Sequence, residues 1–353
     1  MFINNILDIT WRNAENSTVW DTTGKSYTDF TCGIFATNIG HNNRFVTEAI
    51  KKHASMIHTY TFQTEIREEY IEELCSFTGF EDAALFSSGT EATEAAWKIA
   101  RQYSGKWGVI GMIEAFHGKT FGSLIMASRI PSQYYSPMLD KTGMIIWEPY
   151  TAPTAKFHEK KKIDRIRGLV LDGKLINVVD EIQSGFGRTG KLFGYQHYDY
   201  VQPDMVCIGK GMGNGFPISG VLGPRKFISE PVMDLSSTHG GNPLGCAAGL
   251  AVIKFMRKHK IIKEAERKGK ILQNTIADFP VITHGKGMVA ALVMQSKEAA
   301  DRVVVDAADM GLLVVHTGKR TVKIAPPLTI PDVQLNMGLE ILRRVVGKIE
   351  GGE

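Results

Sequence analysis

The sequence predicts an α/β fold, with a mostly parallel sheet in a large domain and a smaller α+β domain beside it. Helical and strand patterns alternate from about residue 44 to residue 257, which is typical of strand–helix–strand units. The apolar runs between the helices are short and end at glycine, proline or polar residues, as expected of strands covered on both faces. Further strand and helix patterns at both ends of the chain indicate the smaller domain.

In chain order, the first element is a predicted hairpin around a glycine turn, over residues 18–27. Apolar residues at helical spacing follow in residues 45–54 and 92–100. Five compact apolar runs predict strands of the large sheet, at residues 83–86, 109–110, 144–147, 175–179 and 205–208. Long amphipathic helices then accompany strand patterns at residues 288–294, 312–315 and 322–324.

The chain has 353 residues, a length that predicts about two domains. We assign residues 1–43 to the N-terminal part of the small domain, residues 44–257 to the large domain and residues 258–353 to the C-terminal part of the small domain. No flexible linker separates these segments, so we expect the two domains to pack together.

Composition excludes several classes of protein. A net charge of +4 is too small to indicate nucleic-acid binding, and an uncharged run at residues 235–253 begins with polar residues, so we expect no membrane span. The first residues lack the basic start of a secretory signal, so we expect a cytoplasmic protein. The chain has four cysteines, Cys32, Cys75, Cys207 and Cys246. They lie far apart in the sequence, which favours neither a metal site nor disulfides.

The first candidate for chemistry is the helix start around Ser88, Gly89 and Thr90. These residues follow a predicted strand, so backbone N–H groups at a helix N-terminus would lie beside two hydroxyl groups and could bind an anion. The same residues fit an ordinary helix cap, with Glu91 completing a capping box. Both interpretations are open at this point.

Two further candidates stand at the ends of neighbouring apolar strands. Asp180 ends one strand, where a dry carboxylate should face a cation or a protonated nitrogen, although it could also cap the following turn. Lys210 follows another strand inside a glycine-rich segment, where a partly desolvated amine could form a Schiff base, although a solvated turn lysine would look the same. An anion site, a strand-end Asp and a strand-end Lys are together the groups that pyridoxal phosphate requires.

Ordered motifs along the chain also carry a resemblance to a known family. The sequence resembles the class III aminotransferases, pyridoxal-phosphate enzymes of fold type I, from about Val19 to Leu342. The matching segments are residues 86–101, 115–120, 179–190, 203–211 and 237–243. The resemblance implies pyridoxal 5'-phosphate as the cofactor, an amino donor and a 2-oxo acid as the reaction partners, and an unusually short member of the family.

The resemblance also implies roles for individual residues. Lys210 is expected to form the Schiff base and then to move a proton between the substrate and the cofactor. Asp180 is expected to pair with the pyridine nitrogen and keep it protonated, which makes the ring an electron sink. Ser88, Gly89 and Thr90 match the residues that hold the phosphate group.

Four other positions match the family motifs. Phe116 is implied to stack on the cofactor ring, with His117 beside it, and Gln183 is implied to lie near the cofactor's phenolic oxygen. Thr238 matches a threonine that reaches the phosphate of the neighbouring subunit. We therefore expect an obligate homodimer with shared active sites.

The sequence departs from the family at the expected substrate site. Lys323 stands where an arginine usually precedes a Pro-Pro-Leu motif, and the glutamate that gates this arginine is absent after Glu148 and Pro149. A lysine can hold a carboxylate only as a point charge, so we interpret Lys323 as a candidate substrate residue with altered acceptor selectivity.

The sequence thus predicts a ping-pong transaminase that takes an amino group from an ω-amino acid, a diamine or a primary amine. An aminomutase or amino-acid racemase on the same fold would use Lys210 and Asp180 identically and remains the alternative. A glycine motif at residues 185–190 fits dinucleotide binding poorly because no helical pattern follows it. A basic segment at residues 156–167 is better explained as a solvated helix face than as a scaffold surface.

Overall fold

The structure is a computed structural model that describes residues 6–58, 62–112, 114–127, 139–173, 175–229, 235–317 and 320–351. Its strands are β1 (Trp11–Glu15), β2 (Thr18–Asp21), β3 (Ser26–Asp29), β4 (Asp82–Phe86), β5 (Gly108–Gly111), β6 (Thr142–Trp147), β7 (Ile176–Asp180), β8 (Met205–Ile208), β9 (Ser219–Gly223), β10 (Ile282–Lys286), β11 (Val289–Val293), β12 (Leu312–Leu313), β13 (Val315–His316) and β14 (Thr321–Ile324).

The helices alternate with these strands through the middle of the chain. They are α1 (Arg44–Ala54), α2 (Glu65–Thr78), α3 (Gly89–Ser104), α4 (Phe121–Met126), α5 (Lys160–Gly173), α6 (Arg225–Ile228), α7 (Pro243–Lys258), α8 (Ile261–Ala277), α9 (Lys297–Asp309) and α10 (Asp332–Glu350). A single turn at Cys32–Phe35 has left-handed backbone angles at each of its four residues. Among the described helices, none combines the length and the apolar character that crossing a membrane requires.

The central sheet has six strands in the order β4-β9-β8-β7-β6-β5. Strands β5 to β8 are parallel, and β9 runs antiparallel to both of its neighbours. Every residue of β6, β7 and β8 is buried, because helices cover both faces of a parallel sheet. The predicted α/β fold with a mostly parallel sheet is therefore confirmed.

Five of these six strands were predicted from the sequence, and β9 was missed. Its five residues include Gly220 and Gly223, which lack the branched side chains that mark a strand. A Cβ atom at Gly220 would lie 2.8 Å from the carbonyl oxygen of Ala84, so a close approach between β9 and β4 requires glycine there. The glycine that permits this close approach also weakens the sequence pattern by which β9 could have been predicted.

Strands from both ends of the chain share a sheet. The predicted hairpin is present as β2 and β3, and β3 pairs in parallel with β12, where Thr28 lies opposite Leu312. The remaining C-terminal strands form an antiparallel sheet in the order β10-β11-β14-β13. The predicted run at residues 312–315 is divided between the two sheets, and β10 was not predicted. The domain boundaries stay a prediction.

Arg188 joins these terminal segments to the loop after β7. Its guanidinium is fully buried; Nη1 donates to the carbonyl oxygens of Met288 (2.9 Å) and Pro326 (2.6 Å), and Nη2 donates to Oδ1 of Asn38 (2.8 Å). Arginine suits this position because its planar group offers five donors in fixed directions. One side chain thereby holds three distant parts of the chain together.

We expect Arg188→Met to lower the free energy of unfolding by about 3 kcal/mol or more, because it leaves buried carbonyl groups without donors. Denaturant unfolding monitored by circular dichroism would measure the change. Arg344→Met is a matched control, since Arg344 is exposed and pairs with Glu340 along its own helix, and it should change stability by less than about 0.5 kcal/mol. Equal effects of the two substitutions would contradict the assigned role of Arg188.

Candidate active site

A cavity of about 300 Å³ lies at the carboxyl ends of three parallel strands. Glu148 directly follows β6, Asp180 ends β7 and Lys210 follows β8, so that each strand contributes one ionisable side chain. Open α/β sheets bind ligands at this edge. Other residues that line the cavity are Ser87, Gly89, Thr90, Phe116, His117, Gly118, Ile182 and Gln183.

Lys210 lies at the start of a short 3₁₀ turn, with a strained backbone. Its φ angle is 43°, in the left-handed region that is unfavourable for residues other than glycine. Burial lowers the pKa of the Lys210 amine, and the charges of Asp180 and Glu148 oppose that shift. A lowered pKa increases the fraction of the amine that is unprotonated, which is the form that acts as a nucleophile.

The Asp180 carboxylate is almost completely buried and held from two sides. Its Oδ2 accepts a hydrogen bond from Nδ1 of His117 at 2.8 Å, and its Oδ1 accepts one from the backbone N–H of Ile182 at 3.0 Å. Burial acts to lower the pKa of His117, but the hydrogen bond and charge of Asp180, together with the charge of Glu148, outweigh burial and raise this pKa. His117 therefore fixes the orientation of the carboxylate at the floor of the cavity.

The start of α3 is a capping box, as the plainer of the two sequence interpretations expected. Glu91 Oε2 accepts hydrogen bonds from the backbone N–H and the hydroxyl of Ser88, both at 2.8 Å. The cavity is lined by Ser87, Gly89 and Thr90 but not by Ser88. The first N–H groups of a helix have no partner within the helix, so this end of α3 can also bind an anion. The cap and the anion site are therefore compatible.

Gly118 allows the next segment to approach this helix start. Its φ angle is +131°, and a Cβ atom there would lie 2.5 Å from Oγ1 of Thr90. The Thr90 hydroxyl also bonds the hydroxyl groups of Thr120 and Ser123. These contacts hold the residues after Phe116 against the first turn of α3.

Phe116 offers an open aromatic face beside the cavity. It is 43% exposed, and its backbone N–H donates to Oε2 of Glu148 at 2.9 Å. Burial raises the pKa of Glu148 to about 7. Glu148 and Ser87 were not among the site residues predicted from the sequence. The position of Glu148 directly after an apolar strand, which it shares with Asp180, was the available signal.

Gln183 and Lys323 meet at the side of the cavity. Gln183 lines it, whereas Lys323 is completely buried on β14 and lies outside the lining. The Lys323 Nζ atom donates to the carbonyl oxygen of Ala152 at 2.5 Å and to Oε1 of Gln183. Both partners of this amine are therefore groups of the protein itself. The expected role of Lys323 in holding a substrate carboxylate stays a prediction.

Thr238 lies apart from the other predicted site residues. It lines a second groove of about 580 Å³, which it shares with Trp97, Trp107 and Ser237. The two regions are nevertheless close, because Ser87 donates a hydrogen bond to the carbonyl oxygen of His239 at 3.2 Å. The structure therefore brings together the predicted residues of the cavity and places Thr238 in the groove next to them.

The cavity fits a planar ring that carries a phosphate group. The Phe116 face can pack on a ring, the buried Asp180 carboxylate can pair with a protonated ring nitrogen, and the start of α3 can bind the anion. His117 Nε2 is buried without a hydrogen-bond partner among the described residues. The donor set and the volume are thus suited to the cofactor inferred from the sequence.

The architecture is that of the pyridoxal-phosphate-dependent transferases of fold type I. An ornithine aminotransferase from Toxoplasma gondii superposes with a TM-score of 0.90 over 100% of this chain and 94% of that chain, at 22% identity. An acetylornithine aminotransferase from Elizabethkingia anophelis gives 0.83 over 97% and 94%, at 27% identity. These comparisons define the class of protein.

Sequence comparison then identifies the family. The family described as Aminotransferase class-III matches residues 3–172 and 142–346. An acetylornithine aminotransferase from Caldanaerobacter subterraneus is 31% identical over 95% of this chain and 94% of its own length. A LysW-aminoadipate semialdehyde/glutamate semialdehyde transaminase from Sulfolobus acidocaldarius is 31% identical over 94% and 93%. The chain belongs to the class III aminotransferases, and it is an enzyme that transfers amino groups to 2-oxo acids.

Proposed function

We propose that this transaminase binds pyridoxal phosphate in the cavity and takes the amino group from the terminal carbon of an ω-amino acid, a diamine or a primary amine. The observation that carries the proposal is that Lys210 and Asp180, at the ends of adjacent parallel strands, face one cavity with the start of α3. When bound, the cofactor supplies an electron-withdrawing ring and a carbonyl carbon that reacts with amines.

Each residue of the chain has a distinct task in this proposal. Lys210 would hold the cofactor covalently, and its released amine would take a proton from the substrate carbon that bears the amino group and pass it to the cofactor carbon that receives this group. Asp180, oriented by His117, would pair with the protonated nitrogen of the ring. Phe116 shields one face of the ring from water, and the N–H groups of Gly89 and Thr90 bind the phosphate group.

The proposed donor follows from the chemistry in the relatives' names. Acetylornithine carries its free amine at the end of its side chain. A semialdehyde is the product that remains when the amino group on a terminal carbon is transferred to an acceptor. Both reactions therefore take place at an unbranched terminal carbon. A donor of this kind presents an unbranched carbon to Lys210, which lines the cavity.

A donor and acceptor panel tests this function. Protein supplied with pyridoxal phosphate should become yellow, borohydride should attach the cofactor to the peptide that contains Lys210, and terminal amines should react with a 2-oxo acid in ping-pong kinetics. A colourless protein that retains no cofactor would contradict the proposal. Conversion of a single amino acid without any 2-oxo acid would instead establish the aminomutase or racemase alternative.

We also propose that the groove containing Thr238 is covered by a second copy of the chain. Large apolar side chains lie exposed around this groove, with Trp107 63% exposed and Phe121 81% exposed. Glu94 lines the groove and accepts a hydrogen bond from the backbone of Ser123, so α4 borders it. Exposed apolar surface of this kind is typical of an interface. The sequence motif around Thr238 supports the same partner.

Trp107→Glu should convert the dimer to a monomer, because it places a charge in an apolar interface. Sedimentation velocity would measure the assembly, and equilibrium dialysis should show at least about tenfold weaker cofactor binding, since Thr238 of the neighbour would be lost. Val333→Glu is the matched control, because Val333 is also an exposed apolar residue, at the start of α10. A Trp107→Glu protein that sediments as the wild type does would contradict this interface.

A further inference from the structure

We propose that Lys323 is a positioning residue that holds the Gln183 amide with its carbonyl oxygen away from the cavity and its NH₂ group towards the cavity. The inference rests on the proposed function, because it takes the cavity as the place of the cofactor. It concerns a contact between β14 and the loop after β7. The two elements are far apart in the sequence, and this side chain connects them.

The direction of the Gln183 amide follows from what a lysine can bind. The structure places Oε1 of Gln183 against the Lys323 Nζ atom, and a lysine amine can donate to this oxygen. The Lys323 Nζ atom donates to this oxygen and to the carbonyl oxygen of Ala152 at 2.5 Å. A reversed amide would place its NH₂ group, instead of an acceptor oxygen, beside an amine that donates to carbonyl oxygens. The amide nitrogen of Gln183 is therefore directed away from Lys323.

The residues around Lys323 hold its amine in one position. Its Nζ atom lies 4.4 Å from the ring centroid of Phe35 and 5.1 Å from that of Tyr150, at distances where aromatic faces attract cations. Burial lowers the pKa of Lys323, the charge of Glu148 opposes this shift, and Lys210 and Arg188 add to it. With two carbonyl partners and two rings, the amine has little freedom to turn towards a substrate.

The contact between Lys323 and Gln183 affects the wall of the cavity. Gln183 lines the cavity and Lys323 does not, so Lys323 acts on a bound molecule through Gln183. The family motif implies that Gln183 lies near the phenolic oxygen of the cofactor. A fixed N–H donor beside that oxygen favours its ionised form, which lowers the pH at which the visible band of the bound cofactor changes. Lys323 would then set a property of the cofactor without touching it.

The test is a pH titration of the visible band in cofactor-loaded protein. Lys323→Met should move the midpoint upward by about 0.5 pH unit or more, because the Gln183 amide loses its anchor. Gln183→Ala should move it in the same direction, and adding Lys323→Met to Gln183→Ala should produce no further shift. This last comparison separates an effect through Gln183 from the loss of a nearby charge.

Lys268→Met is the matched control for removing a buried amine. Lys268 is 7% exposed and its Nζ atom donates to the carbonyl oxygen of Leu328 at 3.0 Å, away from the cavity. Its substitution should leave the midpoint unchanged. Lys323→Arg keeps a buried donor and should lie closer to the wild-type midpoint than Lys323→Met does.

Three results would overturn the inference. One is a Lys323→Met midpoint equal to that of Lys268→Met, and another is a shift that persists in full when Gln183 is already alanine. The third is an unchanged spectrum with a KM for the 2-oxo acid raised more than about tenfold, which would make Lys323 a substrate residue. If wild-type protein shows no visible band with pyridoxal phosphate, the proposed function itself fails.

Discussion

Lys210→Ala should abolish transamination, with kcat falling by about 10⁴-fold or more. The substitution removes both the amine that attaches the cofactor and the group that moves the proton, and no other amine of the described residues lines the cavity. Stopped assays of product formation, together with borohydride treatment and mass spectrometry, would measure turnover and attachment. Cofactor should still bind without a covalent link, through Asp180 and the start of α3.

Lys226→Ala provides the control for this experiment. Lys226 lies exposed on α6, at the opposite end of β9 from the cavity, and its loss should leave kcat unchanged. Normal turnover by the Lys210→Ala protein would show that the catalytic assignment is wrong. Rescue by an added small amine would support it, because a free amine could take over the proton transfer.

Asp180→Asn should lower kcat by about 10²- to 10⁴-fold while the protein keeps its covalently attached cofactor. The amide has nearly the volume of the carboxylate, so packing should survive. It carries no charge, however, and would not keep the ring nitrogen protonated. Rapid mixing of donor with loaded enzyme would measure the step at which the substrate proton leaves.

Asp204→Asn is the matched control for Asp180→Asn. Asp204 also lies beside β7, but its carboxylate accepts a hydrogen bond from the backbone of Asn177 (2.8 Å), near the amino end of that strand. Its substitution should affect stability alone. If both variants lost activity equally, or if Asp180→Asn remained fully active, a special electronic role for Asp180 would be excluded.

The sequence predicted the parts of this fold that depend on local pattern. Strands β6, β7 and β8 consist mainly of apolar residues, and their ends are marked by an abrupt change to charge or glycine. The prediction that Asp180 and Lys210 belong to one site rested on these strand ends together with the anion-site pattern and the family resemblance. Their separation in the chain matches one strand and its connection within a parallel sheet.

Other features depend on contacts between distant segments and leave little trace in the sequence. Arg188 looks like a loop residue in a glycine-rich motif, because its carbonyl partners lie far away in the C-terminal part of the chain. Lys323 looks like a substitute for a substrate-binding arginine, because its contact with Gln183 arises only when β14 packs beside the cavity. Sequence patterns identify strand ends well, but they cannot show which side chain a buried amine will meet.

The pairing of β3 with β12 has a consequence for synthesis of the chain. Strand β3 is made early, yet its parallel neighbour is made only near the end, and the backbone of Phe30 bonds both Leu313 and Ala325. Until then the ribosome-bound chain carries an unpaired strand edge, which can associate with other nascent chains. Messages truncated before the codons for β12 should therefore yield aggregates, although most of the catalytic side chains have already been translated.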